Sequence, residues 1–155
     1  MFPALSFVPV AQAGDLRAYQ GGQFRVLVAP AQTCGAFALL DLTLPQGAEP
    51  PRQVHDREDE AYYLLEGEVA FEVGGVRTVA QAGQAVFVPR QVPHQLTIAT
   101  PAARLLLLLT PGQLVEHFMA FSGPLRATRA VQGPPPFEVL LAMTYALRHR
   151  GVQTC

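Results

Sequence analysis

Residues 50–67 read PPRQVHDREDEAYYLLEG, and this stretch decides how the rest of the chain is understood. In an extended strand, residues two apart point the same way and lie roughly 6.5–7 Å apart. Gln53 and His55 therefore share a side. The polar crossing from Asp56 to Asp59 brings the chain back into a sheet, and Glu60, Tyr62 and Leu64 then share one face, opposite Ala61, Tyr63 and Leu65. A second stretch, GQAVFVPRQVPH at 83–94, leads into a similar set of His94, Leu96 and Ile98. If these faces line the inside of a barrel, a few polar groups stand on an apolar wall of Tyr62, Leu64, Leu96, Ile98 and Phe87. That combination is typical of a small-molecule site.

A carboxylate placed there without a partner carries a heavy desolvation cost. A divalent cation removes that cost and holds two neutral imidazoles at the same time. His55, Glu60 and His94 are thus candidate metal ligands, with Glu60 also the candidate catalytic group. The spacing alone leaves a second reading open: Glu60 belongs to a solvated acidic turn with Asp56, Glu58 and Asp59, and both histidines are ordinary.

At 155 residues the chain is long enough for one domain with a substantial core. A 50% hydrophobic and 15% charged composition argues for burial and against disorder. The net charge of −1 gathers neither nucleic acid nor anionic lipid, and neither partner is expected. All eleven basic residues are Arg, so Schiff-base chemistry through a lysine is excluded. Cys34 and Cys155 suggest no disulfide framework, which fits a reducing, cytoplasmic setting. Cys34 opens an apolar run and reads as a buried small side chain, and Cys155 as a mobile end. The start, MFPALSFVPVAQA, lacks a basic first region and is broken by Pro3 and Pro9, so it is not read as a secretory signal. The run Leu105–Leu109 is too short to cross a bilayer and reads as a strand buried on both faces.

Short apolar or alternating segments recur between Gly and Pro breaks at 24–29, 34–44, 59–65, 69–73, 76–80, 85–88, 95–99 and 104–109, which predicts a sandwich or barrel. Glu66-Gly67 reads as a tight turn joining 59–65 to 69–73 as a hairpin, and Gly74-Gly75 as the next two-residue turn. Residues 113–121 carry an amphipathic helical pattern, Gly133–Pro136 is a stiff connector, and Phe137–Arg150 reads as a further helix. His117 and His149, on those helices, read as surface or interface residues, with His117, Phe118 and Phe121 able to cap a barrel mouth. Arg52 and Arg90 flank the motifs and read as solvated loop charges, with reception of an anionic substrate group as the alternative.

These residues resemble a cupin. His55, four residues, Glu60, six residues, Gly67 matches the second half of the first cupin motif, and Gly83, Pro89 and His94 match the second motif in register. The segments DEAYYLLEGEVAFEVGG, VFVPRQVPH and LLLLLTPGQLVEHFMAFSGP are similar to small single-domain bacterial cupins of the quercetin 2,3-dioxygenase-like type. The resemblance implies a mainly β fold, a double-stranded β-helix (jelly-roll barrel) over about 20–110, with C-terminal α-helices over about 112–150. It also implies a homodimer and a divalent metal (Fe, Mn, Ni, Co or Zn). Gln53 stands where the family has its first histidine, Gln91 replaces a motif glycine and Ile98 an asparagine. An amide oxygen is a weaker, harder donor than imidazole, so Gln53 becomes a weak fourth ligand or a hydrogen-bond donor to bound water or substrate. Two histidines and one carboxylate also resemble the triad of non-haem Fe(II) oxygenases. Tyr62 reads as a core residue of its strand, with orientation of a substrate hydroxyl as the alternative.

Three functions follow from this reading. One is a metal-dependent dioxygenase acting on a small, aromatic or polyphenolic substrate. Another is a non-catalytic sensor or carrier with a weakened or lost metal site. The third is a sugar isomerase or epimerase, since one barrel hosts many reactions.

Overall fold

Alternation of apolar and polar residues translates into strands with one buried face throughout the computed structural model, which describes residues 14–125, 142, 146 and 148–154. The strands are β1 (Arg17–Tyr19), β2 (Gly22–Val28), β3 (Ala38–Pro45), β4 (Gln53–His55), β5 (Asp59–Glu66), β6 (Glu68–Val73), β7 (Val76–Gln81), β8 (Ala85–Val88), β9 (His94–Ile98), β10 (Ala102–Thr110), β11 (Gly123–Pro124) and β12 (Val152–Thr154). Among the described residues they form two antiparallel sheets. One runs β11-β1-β2-β3-β10-β5-β8 and the other β12-β4-β9-β6-β7. This is the expected mainly β, cupin-type barrel. One short helix, α1 (Val115–Ala120), follows a 3-10 turn at Gly112–Leu114.

The inner faces make the core. Leu40, Leu64, Leu105, Leu107, Leu109 and Ile98 are at most 2% exposed, and burying each stabilises the fold by about 2 kcal/mol. Strand β10 shows the pairing logic. It lies between β3 and β5, with Leu107 opposite both Leu40 and Tyr62. Its inward residues, Ala103, Leu105, Leu107 and Leu109, are buried, while Leu106 and Leu108 are only half-buried. The expected strand buried on both faces therefore has one core face and one partly open face.

Three other expectations are corrected. Residues 59–65 and 69–73 do not form a hairpin, because β5 pairs with β10 and β8, and β6 with β7 and β9. Gly67 carries the chain from one sheet to the other at φ +82°, where a Cβ would lie 2.6 Å from the Ala102 carbonyl oxygen. A side chain has no room there, so this glycine marks a crossing rather than a hairpin tip. Gly74 and Gly75, at φ +58° and +83°, do join the β6–β7 hairpin. Strand 34–44 starts only at Ala38, and Cys34 is exposed, ending a 3-10 turn in the left-handed region. The predicted 113–121 helix is shortened by the 3-10 turn. Most of the predicted 137–150 helix and all of 133–136 lie outside the described residues, as does Cys155. Ala142, Ala146, Arg148 and His149, which are described, are helical.

Strand β12 was not anticipated. It pairs with β4 so that Val152 opposes His55, and the Gly151 carbonyl accepts the Asp56 amide at 2.8 Å. Strand β4 has a single bridge to β9 on its other side. The C-terminal strand thus supplies most of the backbone pairing of the segment that carries Gln53 and His55.

Candidate metal centre

The cupin spacing converges in space. His55 on β4 and His94 on β9 come from one sheet and Glu60 on β5 from the other, all with ring or carboxylate 3–4% exposed. One potential ligand atom from each lies within 4.8 Å of the others. The two imidazole rings stack at 5.2 Å with 14° between their planes. His55 Nε2 is 3.5 Å from Glu60 Oε1, and His94 Nε2 is 3.3 Å from Glu60 Oε2. The bland reading of Glu60 as a member of a solvated turn does not hold, because the side chain is sealed inside the barrel.

The hydrogen bonds set the tautomer. His94 Nδ1 lies 3.0 Å from the Val92 carbonyl, which can only accept, so Nδ1 carries a proton. In the neutral ring, Nε2 then presents a lone pair toward Glu60 Oε2. Two lone pairs at that distance repel unless something positive sits between them, a proton or a metal ion. A backbone carbonyl behind a ligating histidine is a common support in metal sites. His55 Nδ1 faces Glu58 Oε2 at 3.8 Å, an ion-pair distance too long for a hydrogen bond. The Nε2 atoms of His55 and His94 are both buried and lack hydrogen-bond partners. Such orphaned atoms are costly, and a divalent cation satisfies both at once. The donor set of two imidazoles and one carboxylate fits a first-row ion, so His55, Glu60 and His94 can hold a metal.

Charges in the site agree. Burial pushes the Glu60 carboxyl up, but His94, His55 and the Tyr62 hydroxyl together outweigh it and hold the group below the usual carboxylate range. Burial lowers the His55 imidazole, and the carboxylates of Glu58 and Glu60 outweigh this and raise it. Glu60 is therefore an anion, as a ligand must be.

The other predicted positions divide. Gln53 lies directly across the ladder from His94 and lines the same cavity as His55 and Glu60. Tyr62 and Leu96 also line it. The Tyr62 hydroxyl is committed, donating to Glu60 Oε2 at 2.8 Å. Its first role is to hold the carboxylate rather than a substrate hydroxyl. Leu64 and Ile98 are fully buried core residues that do not border the cavity. Phe87 is misplaced by the sequence reading: it is 62% exposed, opposite Ala61 on the outer face, whereas Val88 opposes Glu60 inside. The segment AVFV is apolar at every position and so carries no sign of which residues face in. Arg90 is not free for a substrate anion, since it clasps the Asp59 carboxylate, with its Nη2 2.6 Å from Oδ2. Gln91 adopts φ +64°, the left-handed region that the motif glycine takes at no cost, and donates its amide to the His55 carbonyl at 2.7 Å.

Three residues were missed. Glu58 was assigned to the solvated turn but is 4% exposed and backs His55. His117, read as a surface or interface residue, is 1% exposed. With Leu114, Phe118 and Phe121 it falls at i, i+3, i+4 and i+7, the spacing of a buried helical stripe, and this was the available signal. Its Nε2 lies 3.1 Å from the Tyr19 hydroxyl on β1, and both side chains line the cavity. His149 is exposed, as expected.

Burial, helped by the Arg150 charge, pushes the His117 pKa down to about 4. A depressed histidine contributes stability at neutral pH that is lost as the unfolded chain binds a proton the folded chain refuses. The window runs from about pH 6.5 down to about 4, and the loss is about 3 kcal/mol at its foot. The variant His117→Leu is expected to lose about 3 kcal/mol less than wild type between pH 7 and pH 4. Urea unfolding at both pH values measures this, and identical pH dependence in the two proteins refutes it.

Comparison with known proteins agrees with the fold and the motif spacing. The Cupin domain family model matches residues 40–110, which hold Gln53, His55, Glu60 and His94. Quercetin 2,3-dioxygenase of Bacillus subtilis is 25% identical over 122 residues, covering 78% of this chain. The chain spans only 36% of the length of that relative. An RmlC-like cupin from Shewanella frigidimarina superposes with a TM-score of 0.54 at 25% identity, over 72% of this chain and 94% of that one. KdgF from Halomonas sp. superposes with a TM-score of 0.56 at 19% identity, over 63% of this chain and 86% of that one. The barrel, the two spaced motifs and the family match identify a cupin domain at residues 40–110.

Proposed function

We propose that this cupin is a metal-dependent oxidoreductase of the dioxygenase type, acting on a small, flat, largely apolar substrate of the aromatic or polyphenolic kind. The convergence of His55, Glu60 and His94 with two orphaned, buried ring nitrogens carries the reading. The likeness to a quercetin 2,3-dioxygenase supports the substrate class. A divalent metal, when bound, supplies Lewis acidity and, for a redox-active ion, electron transfer.

The chain's own residues do the rest. His55, Glu60 and His94 hold the ion and Tyr62 fixes the carboxylate. Gln53 offers an amide to the ion, to water or to a substrate oxygen. A cavity of ≈ 700 Å³, counting its open mouth, adjoins the site and is walled by Leu42, Leu44, Leu96, Leu107 and Phe118. Its apolar wall limits water around the reacting centre. A homodimer in the cytoplasm belongs to the same proposal. Tyr63 and Phe87, exposed on the outer sheet face, suit a partner surface.

Gln53 in place of a histidine favours a second reading, a non-catalytic binding module with the same cavity and weak metal occupancy. Elemental analysis of the purified protein, with oxygen uptake measured on quercetin, separates the two. The oxidoreductase reading expects about one metal per chain and uptake that stops on chelation. No metal after reconstitution with each of the five ions overturns it in favour of the binding module.

A further inference from the structure

The cavity is also lined by a second polar pair, Tyr19 and His117, with a hydrogen to spare. His117 and Tyr19 are the polar members of an aromatic cluster. The Tyr19 ring lies 5.0 Å from Phe118 and 6.1 Å from Phe24, and the His117 ring 4.8 Å from Phe121. The only hydrogen bond found for either side chain among the described residues is the one between them, at 3.1 Å.

A neutral imidazole has one N–H and a phenol one O–H. Their mutual bond uses one of these two hydrogens, so one donor remains. If the phenol donates to Nε2, the spare hydrogen sits on His117 Nδ1, which is sealed from solvent and has no partner. A buried, orphaned N–H is the costlier arrangement. If Nε2–H donates to the phenol oxygen instead, the spare hydrogen is the Tyr19 O–H. Tyr19 is the half-buried member of the pair and borders the cavity. The second arrangement puts the free donor where a ligand can meet it.

We propose that the Tyr19 hydroxyl is a ligand-directed hydrogen-bond donor of this cavity, taking a carbonyl or similar acceptor oxygen on an otherwise apolar ligand, and that His117 is the positioning residue that fixes its orientation. Burial keeps His117 neutral and Tyr19 protonated through the physiological range, so the pair needs no change of charge to act. Neither residue belongs to the candidate ligand set His55, Glu60 and His94, and the test does not depend on a bound metal.

The probes are 2-acetylnaphthalene, which carries a ketone, and 2-ethylnaphthalene, of nearly the same shape without the acceptor. Binding of each is followed by fluorescence titration to chelator-treated and to zinc-loaded protein. Tyr19→Phe is expected to weaken the ketone about fivefold and to leave the hydrocarbon unchanged, which also shows that the variant is folded. His117→Leu is expected to weaken the ketone similarly. His117→Gln, which keeps an N–H near the position of Nε2, is expected to restore most of it. These results hold with or without zinc. Equal loss of both probes in Tyr19→Phe, no loss of either, or failure of wild-type protein to bind the ketone overturns the proposal. None of those outcomes bears on metal content, so the metal-centre reading stands or falls separately.

Discussion

Glu60→Gln is expected to cut metal affinity by at least ~100-fold, beyond the ~10–100-fold that loss of a merely supporting partner costs. The carboxylate supplies the only negative charge among the three ligands and touches both imidazoles, at 3.5 and 3.3 Å. An amide at the same position also changes the apo protein. Its N–H can donate to His94 Nε2, filling the lone pair that the ion would otherwise take. The variant should therefore fold well while losing its response to metal. In wild type, an ion at ~1,000 times its Kd adds about 4 kcal/mol of stability. In Glu60→Gln the same addition should leave the unfolding midpoint almost unmoved. Thermal unfolding with zinc and with EDTA, beside equilibrium dialysis, reads both effects. Wild-type affinity retained in the variant would remove Glu60 from the ligand set.

Gln53→His is the gain-of-function counterpart. Gln53 faces His94 across the ladder and shares a side of β4 with His55. Directly opposed residues have Cβ atoms about 5 Å apart, so an imidazole placed there can approach the same ion. Replacing a weak amide donor by imidazole is expected to tighten nickel, cobalt or zinc binding by ~10–100-fold. Competition against a chelator of known affinity measures it. Unchanged affinity would mean that residue 53 does not reach the ion and that the native amide serves the ligand instead.

Much of the site was legible because its signals are local. His55, Glu60 and Gly67, then Gly83, Pro89 and His94, occur at spacings that a strand and a turn translate directly into positions. Period-2 alternation put Tyr62 and Leu96 on the cavity side, and the fold places them there. What escaped depends on partners far away in the chain. Phe87 sits in a stretch apolar at every position, so only its pairing with Ala61 reveals that it faces outward. His117 has the spacing of a buried stripe, yet a histidine on a helix reads equally well as surface. Tyr19 lies on the three-residue β1, too short to show a pattern, and meets His117 only because the helix folds back 98 residues later. Glu58 looks like one of four similar acids until the backbone turns it inward.

The chain's own order of residues determined that this is a β barrel and named the three side chains able to share a metal, because strand alternation and motif spacing are properties of neighbouring residues. Tertiary structure decided which strands pair, that Gly67 passes the chain between sheets, that β12 closes the edge beside His55, and that a tyrosine–histidine pair faces the cavity. Those outcomes turn on register and long-range packing, and hydrogen bonds between strands are indifferent to side-chain identity. Neighbouring residues therefore leave such choices undetermined until the whole core closes.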